Sequence, residues 1–218
     1  PNANITRAEV ATIFFRLLTD DSREKYWSDQ NPYSDISAGA WYNNAVSTMT
    51  RAGVLTGYDD GTFRPNANIT RAEFAAIAAR FLSDGYTGPD RFSDISGHWA
   101  AEYINRAARA GWIGGYGDST FRPDQPITRA EAMTLINAVL ERAPHEDYLL
   151  ENMIVWPDNP ESAWYYEAVQ EATNSHNYKW REDRDYEEWT ELLESRDWAA
   201  LEQQWAQAGD AAGADIMP

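Results

Sequence analysis

Three arginines, Arg7, Arg71 and Arg129, share one setting, Ile-Thr-Arg-Ala-Glu, at Ile5–Glu9, Ile69–Glu73 and Ile127–Glu131. Thr followed three residues later by Glu has the form of a capping box: the threonine caps a helix N-terminus and the glutamate reaches back to the backbone. Each arginine then falls at the first helical position, where the helix dipole disfavours a cation by about 0.3–1 kcal/mol. A cation placed there three times suggests an anion to meet it. The N–H groups at a helix N-terminus, with a planar guanidinium beside them, suit a carboxylate or phosphate. Pairing of each arginine with a nearby acid such as Asp59, Asp60 or Asp118 explains the placement equally well.

Other residue types offer little chemistry. The three histidines, His98, His145 and His176, share no metal-ligand spacing, and His98 reads as a cap or surface residue before Trp99. With no cysteine and no Gly-x-Ser-x-Gly elbow, nucleophilic catalysis has little to work with. Carboxylates are abundant, but the recurrent ones, Glu9, Glu73 and Glu131, already have a capping role. Gly114-Gly115 follows a helix rather than joining a strand to one, so it is no phosphate loop. The chain reads as a non-enzyme that needs no cofactor or metal.

The elements that position the arginines form a repeat. Pro1–Glu9 recurs unchanged at Pro65–Glu73. Ser-Asp-Ile-Ser followed by Trp occurs at Ser34–Trp41 and Ser93–Trp99, with a looser echo at Trp156–Tyr166. A Gly-Tyr turn runs from Gly53 to Pro65 and again from Gly111 to Pro123. The first helix of each unit begins near its tryptophan and places Ala45, Val46 and Met49 on one face. Gly53 and Gly111 sit where a left-handed C-cap ends it. Behind the capping box, Val10, Ile13, Phe14 and Leu17, or Phe74, Ile77, Ala78 and Phe81, form the core stripe.

Charge divides the chain. Residues 1–140 carry 16 acidic and 13 basic side chains, and residues 141–218 carry 19 and 5. The overall net charge of −17 argues against nucleic acid as a partner. No stretch approaches the length of a membrane span. The absence of cysteine fits a surface protein of a Gram-positive-type bacterium, and many cytosolic proteins share it. Because the chain opens inside a repeat, any export signal is expected upstream.

These motifs resemble the S-layer homology domain, closely over residues 34–82 and 93–140, well over 1–18 and partially over 156–178. Beyond about residue 180 a fainter likeness to C-terminal regions of clostridial surface proteins remains. The resemblance implies a mainly α fold, a pseudo-threefold bundle of helix-turn-helix units with short extended loop segments. It implies non-covalent anchoring of an exported protein in the cell wall or S-layer. The usual ligand is a secondary cell-wall polysaccharide attached to peptidoglycan, often bearing a pyruvate ketal, and neighbouring surface-layer proteins are possible partners. Carried over by motif, Arg7, Arg71 and Arg129 meet the ketal carboxylate, and Gly57-Tyr58 and Gly115-Tyr116 shape the groove wall. Trp41, Trp99 or Trp164 offers apolar surface to the sugar, unless it is a core or hinge residue. A protein–protein assembly module without glycan binding is the alternative function.

The units departing from the pattern are the informative ones. Gly117-Asp118-Ser119 predicts an altered second turn, and the last unit lacks both Gly-Tyr and TRAE. The units then read as a half unit with linker at 1–33, whole units at 34–92 and 93–155, and a half unit with an acidic extension at 156–218. A circular permutation, with the Trp164 helix completing the unit opened by Thr6, accounts for the two halves; a cut through a longer array is the alternative. Trp189, Leu192, Leu193, Trp198, Leu201 and Trp205 predict one or two C-terminal amphipathic helices over 186–205, with Ser195 as N-cap and a loose tail from Gln207 to Pro218.

Overall fold

The computed structural model describes residues 1–214, with side chains through Gln207. Its elements are α1 (Arg7–Leu17), α2 (Asp20–Tyr26), α3 (Asn43–Arg51), α4 (Arg71–Ala79), α5 (Ala101–Arg109), α6 (Arg129–Val139) and α7 (Tyr166–Thr173), then β1 (His176–Trp180), β2 (Glu187–Leu192) and α8 (Trp198–Ala214). They fall into two compact units. One holds Thr6–Ile69 and the chain from Arg196 onward; the other holds Pro1–Ile5 and Thr70–Ser195.

All three capping boxes form, at Thr6/Glu9, Thr70/Glu73 and Thr128/Glu131. Gly53 and Gly111 take the left-handed conformation that ends the preceding helix, with φ of 73° and 79°. In the first unit α1 packs on α3, burying Val10, Phe14, Val46 and Met49. Phe15, outside the expected stripe, is buried in a ring cluster with Trp27 and Trp205, centroids 5.8–6.2 Å apart. Leu17 and Phe81, expected in the core, are 39% and 45% exposed: Leu17 is the last residue of α1, and Phe81 lies past the C-cap of α4.

In the second unit α4 packs on α5 through Ala72, Ala75 and Ile104, with Ile95 and Phe121 closing the core. There α6 packs on α7 through Ala130, Tyr165 and Val169. Alanines on the capped helices allow this close approach. Each TRAE helix thus takes as its partner the Trp-led helix that follows it in the chain. The Trp164 segment packs through α7 on α6 and is also tied to the N-terminus, Asn2 Nδ2 donating to the Tyr165 hydroxyl at 3.2 Å. The compact units divide at Thr6 and Thr70, each the cap of a helix, and again at Arg196.

The expectation of helix over 186–205 is also corrected. Residues 176–192 form an antiparallel hairpin, with Tyr178 opposite Trp189 and Trp180 opposite Glu187. Trp189, Leu192 and Leu193 satisfy a helical period, but Glu187 and Trp189 are the buried positions, which is the period of a strand. Helix resumes only at α8, capped by Asp197, whose Oδ1 accepts from Ala200 N at 3.0 Å, and not by Ser195. The segment read as a loose tail continues this helix to Ala214; residues 215–218 lie outside the described part. In the first unit α8 is tied down by Arg196 to Asp20 at 2.9 Å and Asn44 to Glu202 at 2.9 Å.

Candidate functional site

The Ser-Asp-Ile segments build the turns. Asp94 accepts two consecutive amides, Phe121 N at 2.8 Å and Arg122 N at 2.7 Å. Asp35 does the same for Phe63 and Arg64 in the other unit, at the same distances. The serine amides donate to Ser119 O and Gly61 O, and Ile95 and Ile36 are buried. The pinned arginines, Arg122 and Arg64, hold left-handed φ values of 58° and 57°. Such a conformation is costly for a residue with a Cβ, and the two carboxylate bonds offset it.

The second turn, expected to be altered, repeats the first. Tyr116 N donates to Thr120 O at 2.8 Å, as Tyr58 N does to Thr62 O, and Ser119 takes the φ > 0 position of Gly61. Gly115 and Gly57 are required by close packing. A Cβ on Gly115 would stand 2.4 Å from the Phe92 ring and 2.6 Å from Thr120 O; on Gly57 it would meet Tyr33 and Thr62 O as closely.

The arginines are stitched to these turns. Arg71 Nε donates to Phe121 O at 2.8 Å, Nη2 to Gly114 O at 3.3 Å, and Nη1 to Glu131 at 2.8 Å. Arg7 donates to Phe63 O at 2.8 Å and Thr56 O at 3.1 Å. Holding turn carbonyls explains a cation at the first helical position. The acids considered as partners are engaged elsewhere: Asp60 with Arg64 and Asp118 with Arg122. Threonine hydrogen bonds first, then Arg64 or Arg122, hold both of these carboxyls down at about 2.

The helix N-termini are not open to anions. Arg71 N and Ala72 N donate to Gln125 O and Pro123 O, Arg7 N and Ala8 N to Ala67 O and Pro65 O, and Arg129 N and Ala130 N to Ala3 O and Pro1 O. The third amide of each helix donates to the capping threonine. The half-buried Arg129 occupies the corresponding position on α6.

Around Arg71 lies a pocket of about 310 Å³. It brings together Arg71, Gly115, Tyr116 and Trp164 from the expected set and adds Glu131 and Trp112. Glu131 Oε1 accepts from both Arg71 and the Tyr116 hydroxyl, the latter at 3.3 Å, while Oε2 serves the cap. Tyr116 also lies within cation–π range of Arg71 and Arg122, at 5.0 and 3.8 Å. Tyr58 lies 4.7 Å from Arg7 and 4.0 Å from Arg64. The tryptophans are not core residues: Trp41, Trp99 and Trp164 are 66%, 61% and 69% exposed. The pocket gathers an aromatic wall, a half-neutralised guanidinium and a carboxylate, groups suited to a polar ring compound.

A second charged cluster, which sequence spacing gave no means of finding, lies at the root of the hairpin. Arg142 donates to Glu187 at 2.7 Å and pairs with Glu171 at 2.8 Å; Trp189 Nε1 donates to both carboxylates. His176 stacks on Trp189 with centroids 3.8 Å apart and faces Glu171 at 3.3 Å. Burial lowers its pKa and the carboxylates of Glu171 and Glu187 push it up to about 9, while Arg142 Nη2, 2.7 Å from Nε2, opposes a proton on that nitrogen. Burial raises the Glu171 carboxyl. Glu187 is held well below the ordinary range, its burial outweighed by His176 and Arg142. Glu171, His176 and Glu187 have donor atoms within 4.8 Å of one another, but Arg142 stands among them as the cation. Of the other two histidines, His145 caps a short helical turn, its Nδ1 accepting from Asp147 N, and His98 Nδ1 accepts from Ala100 N just before α5.

Residues 32–75 and 91–133 match the S-layer homology domain. The chain is 39% identical over 185 residues to the cellulosome-anchoring protein of Acetivibrio thermocellus, covering 82% of this chain and 40% of that protein. It is 38% identical over 208 residues to cell surface glycoprotein 1 of the same organism, covering 89% of this chain and 9% of the relative. With the surface-layer 125 kDa protein of Lysinibacillus sphaericus it shares 32% identity over 147 residues, covering 65% of this chain and 12% of the relative. The chain therefore spans less than half the length of these relatives.

Proposed function

This chain belongs to the S-layer homology domain family, and we propose that it anchors a protein at the bacterial cell surface by binding a secondary cell-wall polysaccharide without covalent attachment. The pocket carries this reading: Arg71, Glu131 and Tyr116 form its polar floor, and Trp112 and Trp164 supply indole surface. A pyruvate-ketal carboxylate would use the guanidinium hydrogens that Glu131 and the two carbonyls leave over. Arg7 with Gly57-Tyr58, and Arg129, take the same role in their own repeats, and Trp41 and Trp99 offer sugar-stacking surface like Trp164. The recurrence of helix amides docked on Pro1–Ala3, Pro65–Ala67 and Pro123–Gln125 supports a pseudo-threefold bundle.

The module binds rather than catalyses: Glu131, the acid in the pocket, is committed to the cap, Arg71 and Tyr116. No helix of the described residues is long and apolar enough to cross a membrane. One observation favours assembly with neighbouring surface proteins instead. Ile154, Val155 and Trp156 form an apolar run that is 55%, 60% and 40% exposed.

Retention on peptidoglycan sacculi tests the proposal, with and without hydrofluoric acid extraction of the attached polymer. Retention is expected to disappear on extraction and to weaken in Trp164→Ala. Because Arg71 also holds the turn, Arg71→Lys is the informative arginine variant: it keeps the charge and loses the fork. Retention indifferent to extraction and to both variants would move the function to protein–protein assembly.

A further inference from the structure

The two Gly-Tyr turns share a backbone but not the side chains they offer. At corresponding places the first turn carries Val54 and Thr56, and the second Trp112 and Gly114. The carbonyls of Thr56 and Gly114 do the same work, each accepting from its arginine Nη2 at 3.1 and 3.3 Å. The side-chain difference is therefore not demanded by the stitching of helix to turn.

Nor is it demanded by the backbone. Gly114 does not take a positive φ, and a Cβ built on it meets nothing within 4 Å. This sets it apart from Gly115 beside it, where a Cβ would collide with Phe92 and Thr120. Gly114 could carry a side chain, as Thr56 does, and its absence leaves open space at the pocket wall. Trp112 is half-buried and lines the same pocket as Trp164.

We infer that Trp112 and Gly114 make the second turn a sugar-ring site: Trp112 gives the pocket a second indole face, and Gly114 clears the room a pyranose needs beside the Arg71–Glu131 pair. The axial C–H face of a sugar is apolar and packs on indole, while its hydroxyls and any acidic substituent turn towards Arg71, Glu131 and Tyr116. The first turn, with Val54 and Thr56, offers neither the indole nor the gap. The two turns are then unequal binders, the second being the stronger. This inference rests on the wall-polysaccharide reading above and names the residues that set its affinity.

The test exchanges the turn residues and measures binding to intact Acetivibrio thermocellus sacculi and to sacculi stripped with hydrofluoric acid. Trp112→Val with Gly114→Thr is expected to weaken retention on intact sacculi by about tenfold, the loss of roughly one well-packed side-chain face. Trp112→Phe, which keeps an aromatic face, is expected to retain most of the binding and guards against a folding defect. Val54→Trp with Thr56→Gly is expected to strengthen retention. If wild type binds intact but not stripped sacculi and the Trp112/Gly114 variant binds equally well, the inference falls while the anchoring reading stands. If wild type binds both kinds of sacculi alike, the anchoring reading falls and takes the inference with it.

Discussion

The turns at 53–65 and 111–123 and the hairpin at 176–192 are both irregular excursions held by carboxylates, but the carboxylates work under opposite conditions. In the turns, the acids satisfy backbone amides near the surface, and each arrangement occurs twice with the same geometry. At the hairpin, Glu171 of α7 and Glu187 of β2 are buried together and are held by Arg142, His176 and the Trp189 indole N–H. A turn built on amide acceptors tolerates sequence drift outside its acids, as Ser119 in place of Gly61 shows. A buried charge cluster is sensitive to single changes, because removing one member leaves another charge buried and unpaired.

The sharpest way to break the comparison is to remove the cation from the buried cluster. Arg142→Met leaves two carboxylates buried beside a single histidine, and breaking one partner of a buried ion pair costs about 3–5 kcal/mol. Amide exchange across β1 and β2 is expected to accelerate strongly, while exchange in the turn amides of Phe63 and Phe121 stays unchanged. Equal acceleration in turns and hairpin would mean that the two regions do not hold independently.

The corresponding cut in a turn is smaller. Asp94→Ala strips the acceptor from the amides of Phe121 and Arg122 and releases an arginine held at positive φ. The expected cost is about 1–3 kcal/mol, for the loss of hydrogen bonds from two amides to a charged acceptor. Asp35→Ala should cost the same within error, because its two bonds match in length. Urea unfolding of both variants checks this, and a large disparity would show that the repeated geometry hides unequal energetics.

This contrast also explains what the sequence made legible. The capping boxes, the glycine C-caps and the buried stripes rest on interactions within about four residues, so local spacing reveals them, and repetition confirms them. The role of arginine at the first helical position was only half legible: its two carbonyl partners lie 43 to 56 residues away, and backbone acceptors leave no mark on a sequence. The pairing of α6 with α7 is not legible in the same way, because counting motifs gives how many helices exist, not which faces meet. The hairpin was missed because Trp189, Leu192 and Leu193 fit a helical period, and the side chains that decide for a strand come from Arg142 and Glu171. In the site, Trp112 carried a signal that went unused, as a point where two otherwise parallel repeats disagree.

The gentlest probe of the comparison is pH, which should loosen the two regions at opposite ends of the scale. His176 in the folded chain holds its proton up to about 9 against an ordinary 6.5, so its contribution is complete below 6.5 and disappears as pH rises through 9. Asp60 and Asp118 are held at about 2 against an ordinary 3.8, so their contributions are complete above 3.8 and disappear as pH falls through 2. Glu187, also depressed, adds an acid limb to the hairpin, which makes the alkaline limb the discriminating one. Fluorescence of Trp189, stacked on His176 at 3.8 Å, is expected to report the hairpin loosening between pH 7 and 10. His176→Gln should remove that limb and leave the acid one. Asp118→Asn should do the reverse in the turn: near neutrality it changes little, since the side chain is exposed and screened, but it flattens the acid response of the Tyr116–Arg122 segment. An alkaline limb that survives His176→Gln would assign it to another group and dissolve the opposition between the two regions.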